Sequence, residues 1–196
     1  MKGERRASAR KAETARKRLL RYAPVGRRTW KDLERLFESR GGPHPCWCMV
    51  WRRMKEGMQR SRKSDKKASL KSLVDTNNPV GLLCYDGNEP IAWCSIAPRA
   101  TYRDLSGDDA LDAVWSIVCF YVRREYRRGG VGRSLIGAAV AYARYHGARY
   151  VEAYPVDPDS PAYRFMGFVP VFRSLGCIFR GRAGLRRNVM VLKMEG

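Results

Sequence analysis

The chain has 196 residues, a length that suits one domain or one domain with a tail. At 44% hydrophobic residues it can bury a core, which excludes global disorder, and no apolar run approaches the roughly 20 residues of a membrane span. Its 39 Lys and Arg against 19 Asp and Glu give a formal charge of +20, so acidic surfaces and anionic ligands are attracted.

The charge is concentrated. Residues 1–28 hold eleven Lys/Arg against two Glu, and residues 51–71 hold nine against two acids. Before Leu19 the first segment has almost no large apolar residue, so residues 1–28 read as a basic, flexible tail and residues 29–196 as the folded domain. The tail could hold a phosphate backbone, which keeps nucleic acid or the ribosome as a partner. Residues 1–28 lack the apolar stretch of a secretory signal, and four of the six cysteines sit in apolar or aromatic runs. A cytoplasmic protein with buried free thiols is therefore expected, without membrane contact and as a monomer or homodimer.

The elements follow in order. Thr29 is placed to cap a helix through Phe37, ended by Gly41-Gly42-Pro43, and Ser64 to cap a second carrying Leu70, Leu73 and Val74. Val80–Tyr85 and Pro90–Ala97 flank Asp86-Gly87-Asn88-Glu89, a hairpin signal. Val114–Val122 is apolar except for Ser116, as in a strand covered on both faces. Val131–His146 reads as an amphipathic helix ended by Gly147, and Tyr150–Tyr154 as a strand. Ala162–Met166 fits a short helix, Phe168–Phe172 a strand and Asn188–Met194 a last strand. This is an α/β or α+β pattern with an antiparallel start.

The most informative stretch runs from Val122 into Arg127-Arg128-Gly129-Gly130-Val131-Gly132-Arg133-Ser134. A buried strand enters a basic glycine turn that opens a helix. Free N–H groups and the positive dipole end of a helix make an anion site, and three arginines surround this one. A pyrophosphate is the natural ligand. A P-loop needs a Gly-Lys pair, and none is here. A dinucleotide fold needs a third glycine where Leu135 stands, although Glu152 lies where a ribose-binding acid could sit. The third reading is an Arg/Gln-x-x-Gly-x-Gly/Ala loop, here Arg127-x-x-Gly130-x-Gly132.

With that loop, and with Tyr163-Arg-Phe-Met-Gly167-Phe168 behind it, the chain resembles the GCN5-related N-acetyltransferase (GNAT) superfamily over roughly Val80 to Met194. Gly81–Gly87, Ile91–Arg99, Val114–Phe120 and Cys46-Trp47-Cys48-Met49 resemble one bacterial subgroup without a general substrate. The resemblance implies a central mixed, mostly antiparallel twisted sheet flanked by helices and splayed in the middle to receive acetyl-CoA. It implies direct acetyl transfer to a primary amine of an unidentified acceptor. It places the pantetheine arm along the backbone of Phe120, Tyr121 and Val122, and the pyrophosphate on Arg127, Arg128, Gly129, Gly130, Val131, Gly132, Arg133 and Ser134. It also makes Tyr163 the acid for the departing thiolate.

The family often carries a Glu on the buried strand, where this chain has Ser116. Asp112, Glu152 or a water held by Ser116 are then the base candidates. A route through an acyl-Cys119 is conceivable. Cys46-x-Cys48 is one residue short of a zinc pair and has no second pair after it, so no metal is expected. Trp47, Trp51, Trp93 and Trp115 are read either as core or as an aromatic wall for the acceptor. Two alternatives stand beside the leading reading: acylation of an RNA-borne or ribosomal-protein amine, and a non-catalytic basic module that keeps a CoA pocket.

Overall fold

The computed structural model describes residues 19–53 and 62–194. Seven strands form one sheet in the order β1-β2-β3-β4-β5-β7-β6. They are β1 (Leu20–Pro24), β2 (Leu82–Asp86), β3 (Glu89–Pro98), β4 (Val114–Val122), β5 (Tyr150–Ala153), β6 (Ile178–Ala183) and β7 (Arg187–Lys193). Every neighbouring pair is antiparallel except β4 with β5. Among the described residues four α-helices flank the sheet: α1 (Trp30–Glu38), α2 (Lys63–Asp75), α3 (Val131–Tyr145) and α4 (Val169–Arg173). No helix of the described residues is long and apolar enough to cross a membrane.

Strand alternation divides the core in two. Leu83, Tyr85, Trp93 and Ala97 pack with Leu33, Leu36 and Phe37 of α1 and Leu70 and Val74 of α2. Leu82, Cys84, Cys94 and Ile96 face Leu135, Ile136, Ala139 and Ala143 of α3. The apolar spacing of Val131–His146 therefore becomes the face of α3 that rests on the sheet.

Four local expectations are corrected. The segment read as tail contributes β1, whose residues Leu20–Pro24 pair with β2 across the hairpin. The rest of the tail, residues 1–18, lies outside the described residues. Phe168–Phe172 is not a strand: Val169–Arg173 is helical, with Pro170 in the first turn, where a missing N–H costs nothing. Val169 and Phe172 are both buried at the i, i+3 spacing of one helix face, a pattern that a five-residue apolar run cannot separate from a strand. Neither expected cap forms as read. The Thr29 hydroxyl donates to the Pro24 carbonyl and accepts from Gly26 N–H, closing the turn before α1, and α2 begins at Lys63, ahead of Ser64. Ala162–Met166 shortens to a single 3₁₀ turn, Arg164–Met166. β6 was not foreseen, because Ile178, Phe179 and Arg180 are all exposed and carry no alternation.

Candidate active site

The site grows from one irregularity in β4. Ser95 of β3 faces Cys119 while the next residue, Ile96, faces Ile117, so Val118 is an extra, bulged residue. Val118 and Cys119 consequently both turn to the α1/α2 core. At the same point pairing with β5 stops, its last partners being Ile117 and Ala153. Beyond it the Phe120–Val122 backbone has β3 on one side and, on the other, an edge that β5 does not cover. Polar groups on such an edge need a partner.

That edge opens into a cleft of about 740 Å³ lined by Phe120, Tyr121 and Val122 of β4, by Arg127, Arg128, Gly130, Gly132 and Arg133 of the turn, and by Gly167 and Phe168. Gly130 is the N-cap of α3 at φ 81°, a conformation that favours glycine, and a Cβ built on Gly130 or Gly132 would meet nothing within 4 Å. The helix start thus presents its first N–H groups to open space, as an anion cradle requires. Arg127 is anchored by its Nε, which donates to Val122 O at 2.8 Å. Gly167 (φ 86°) lets the opposite wall close in, since a Cβ there would stand 2.9 Å from Phe172.

Eight of the eleven residues expected around the cofactor line this cleft. The other three are placed differently. The Val131 side chain is buried in the α3 core. The Ser134 hydroxyl lies 2.5 Å from the Tyr22 hydroxyl of β1, and Gly129 is outside the lining. Sequence reasoning missed Ile136, Arg164, Phe165 and Val171. Ile136 and Val171 read as ordinary core positions, and only the closure of α3 onto the α4 region turns them toward the cleft.

Tyr163 stands beside this cleft, next to Arg164 and Phe165 of its wall. It has φ 58°, a left-handed conformation that costs a bulky residue about 1–2 kcal/mol. Its carbonyl accepts from Met166 N–H at 2.9 Å, which fixes the turn. The ring lies 6.0 Å from the Trp51 ring and 6.3 Å from the Phe165 ring. Tyr163 remains 39% exposed, and its hydroxyl makes no hydrogen bond among the described residues.

The base candidates fare differently. Asp112 lies two residues before β4, at the end of the strand away from the glycine turn, and is tied to Arg149 at 2.6 Å on the surface. About six residues of extended chain, on the order of 20 Å, separate it from the bulge at Val118, so with its carboxylate held by Arg149 it is not brought to the site. Ser116 and Glu152 are register partners across β4 and β5 and are both fully buried. The Glu152 carboxylate accepts from Ser116 Oγ at 2.5 Å and Tyr154 Oη at 2.6 Å, and from Arg99 Nε and Nη2 at 2.9 and 2.5 Å. Gly107 covers it, because a Cβ there would come within 2.6 Å of Glu152 Oε2. Burial, with Glu152 second, pushes the Tyr154 hydroxyl pKa up, so it stays a donor. Glu152 is thus the hub of a closed network, and the Ser116 proton is spent on it.

Cys48 Sγ and Cys119 Sγ are 3.1 Å apart. The hydrogen bond to Cys119 leads in pushing the Cys48 thiol up, the one to Cys48 leads for Cys46, and burial raises Cys94. Burial holds Cys84 and Cys177 at about 11. Alkylation needs the thiolate. At pH 8 Cys84 and Cys177 should therefore react with iodoacetamide on the order of a hundredfold more slowly than in denaturant, the thiolate falling about tenfold per pKa unit, and Cys46, Cys48 and Cys94 should be slowed as well. Equal rates, read by mass spectrometry, would contradict the buried placement of Cys48, Cys84, Cys94 and Cys177. No group of three or more His, Cys, Asp or Glu is placed to hold a metal among the described residues. Of the four tryptophans read as core or acceptor wall, Trp47 and Trp93 are core, and Trp115 packs on Tyr142 and His146 under α3. Trp51 alone meets Tyr163.

A sheet splayed beside a glycine turn at a helix start defines an acyltransferase-type scaffold. The Acetyltransferase (GNAT) family pattern matches residues 28–168, and the chain belongs to that family. It is an acyltransferase by membership, as the motifs imply. The fold is shared with yncA from Salmonella typhimurium, solved with its cofactor acetyl-CoA (14% identity, 90% of this chain and 94% of that one, TM-score 0.58). It is shared with the PaiA N-acetyltransferase from Thermoplasma acidophilum in complex with coenzyme A (13%, 89% and 99%, 0.54). The ribosomal-protein-S5-alanine acetyltransferase from Vibrio fischeri has it too (10%, 89% and 92%, 0.54). No curated protein matches the chain by sequence.

Proposed function

We propose that the protein is an acetyl-CoA-dependent N-acetyltransferase that passes the acetyl group directly to a primary amine. The observation that carries this reading is the uncovered β4 edge running into the αL glycine cap of α3. The fit to acetyl-CoA is one of shape and polarity. The cradle at Gly130 and Gly132 is free of side chains, cationic residues ring it, and an apolar trough continues along Phe120, Val122, Phe168 and Val171.

Acetyl-CoA supplies the activated acetyl group. The chain's residues do the rest. Backbone N–H groups from Gly130 to Arg133 hold the phosphates, and Arg127 and Arg128 neutralise them. The Phe120–Val122 edge pairs with the amides of the arm, which aligns the thioester beside the bulge. Tyr163 donates its hydroxyl proton to the departing thiolate. The Glu152 carboxylate is already held by Arg99, Ser116 and Tyr154, so the acceptor amine enters as its free base. Glu152 positions Arg99 and Tyr154 rather than removing the proton.

The direct test is an acceptor screen with acetyl-CoA that reads released thiol. Amines, aminoacyl-tRNAs and ribosomal proteins belong in it, because residues 1–28 motivate a nucleic-acid or ribosomal acceptor. A folded Gly130→Asp variant places a carboxylate against the phosphates. Calorimetry should find its acetyl-CoA affinity lowered at least about tenfold, since removing one charged hydrogen bond already costs about 1.5–3 kcal/mol. Unchanged affinity would refute the cradle assignment.

A further inference from the structure

Beside the Tyr163 ring the chain assembles a cationic-aromatic cluster that no step above uses. The Arg187 guanidinium stands 4.7 Å over the Trp51 ring, 5.8 Å from the Tyr163 ring and 5.9 Å from the Tyr154 ring. Arg103 stands 4.4 Å over the same Trp51 ring. Two like charges thus share one buried indole. Among the described residues neither forms an ion pair, and Arg187 Nη1 is buried without a hydrogen-bond partner.

Such an arrangement is unfavourable alone. Burial, the largest influence, lowers the Arg187 pKa, and the Arg103 charge adds to this, while Tyr163, Tyr154 and Asp104 only partly oppose it. A guanidinium still cannot shed its proton near neutral pH. A half-buried guanidinium with one buried, orphaned N–H is better satisfied when an anion accepts from it. The start of β7 is anchored by its neighbour Asn188, which accepts from Arg182 and donates to Pro155 O, so the guanidinium head of Arg187 is not needed for that hydrogen bonding.

We propose that Arg187 is the specificity residue for the acceptor, binding a carboxylate carried by the amine substrate, so that the substrate class is a small amino-carboxylate. This rests on the acetyltransferase reading above. The planar fork of Arg187 matches a carboxylate, and Trp51 flanks the bound group with an apolar wall. Because Arg187 adjoins Tyr163, one or a few carbons suffice to place the amine at the thioester while the carboxylate rests on the fork. A monoanion fits better than a phosphate. The adjoining cavity of about 520 Å³ carries both signs, with Arg53, Arg99 and Arg103 beside Asp104 and Asp109, so the single fork of Arg187 rather than the cavity sets the match to a carboxylate.

The experiment uses acetyl-CoA, the full chain and matched acceptors: amino acids, their amides, their decarboxylated amines and their phosphonate analogues, with kcat/KM read from thiol release. The free carboxylates should be preferred. Arg187→Gln should reduce that preference about 10- to 100-fold, as expected for a charged hydrogen bond. Arg187→Lys, which keeps the charge and loses the fork, should fall between. Acetyl-CoA affinity by calorimetry should not change in either variant. Equal use of amides or decarboxylated amines, a preference for phosphonates, or a preference that survives Arg187→Gln would overturn the proposal. So would acetyl-CoA binding with no panel member acetylated, which spares the cofactor reading. Absence of acetyl-CoA binding would remove that reading and the proposal with it.

Discussion

Tyr163→Phe should lower kcat about 10²- to 10⁴-fold while acetyl-CoA binding stays nearly intact, the range expected when a positioned general acid is lost. Phe keeps the ring against Trp51 and Phe165, and so keeps the packing that sets the wall of the cleft. Only the hydroxyl is removed, and that hydroxyl has no hydrogen bond to lose among the described residues. The left-handed backbone at this position is unaffected, because Phe bears it as Tyr does. A packing role therefore predicts almost no change in rate. Single-turnover measurement with a competent acceptor isolates the chemical step from product release. A variant within about twofold of wild type would remove Tyr163 from the mechanism, being far below the range for general-acid loss.

The core of this architecture was legible because its signals are local and redundant. β4 has the bounds its apolar run predicts, and α3 starts and stops where Gly130 and Gly147 place it. The bulge at Val118 was not legible. A bulge is a mismatch between two strands, and Val118 is an ordinary strand residue by composition. Glu152 was named as a candidate base, but its closed network depends on Arg99, Ser116 and Tyr154 meeting across three chain segments. Arg187 escaped notice for a similar reason. In sequence it is the third member of Leu185-Arg186-Arg187-Asn188, a basic turn like several others, and only tertiary packing sets it over Trp51.

Glu152 invites a second decisive measurement. Arg99→Met leaves a fully buried carboxylate without its cation, and breaking a buried pair in this way costs about 3–5 kcal/mol. For a chain of this length that corresponds to a fall in Tm on the order of 10 °C. Glu152→Gln in the same protein removes the stranded charge while keeping shape and the hydroxyl contacts of Ser116 and Tyr154. The Arg99→Met/Glu152→Gln double variant should therefore be more stable than Arg99→Met alone, by roughly 1–3 kcal/mol, the size of a coupling between groups in contact. Loss that simply adds would show the two residues to be energetically independent. The kinetic side separates positioning from proton removal. If Glu152 only holds Arg99 and Tyr154 in place, folded Glu152→Gln keeps the rising limb of kcat/KM against pH, because that limb belongs to the free-base fraction of the acceptor amine. If Glu152 removes the proton, the limb disappears with the carboxylate, and the base-free entry of the amine is wrong.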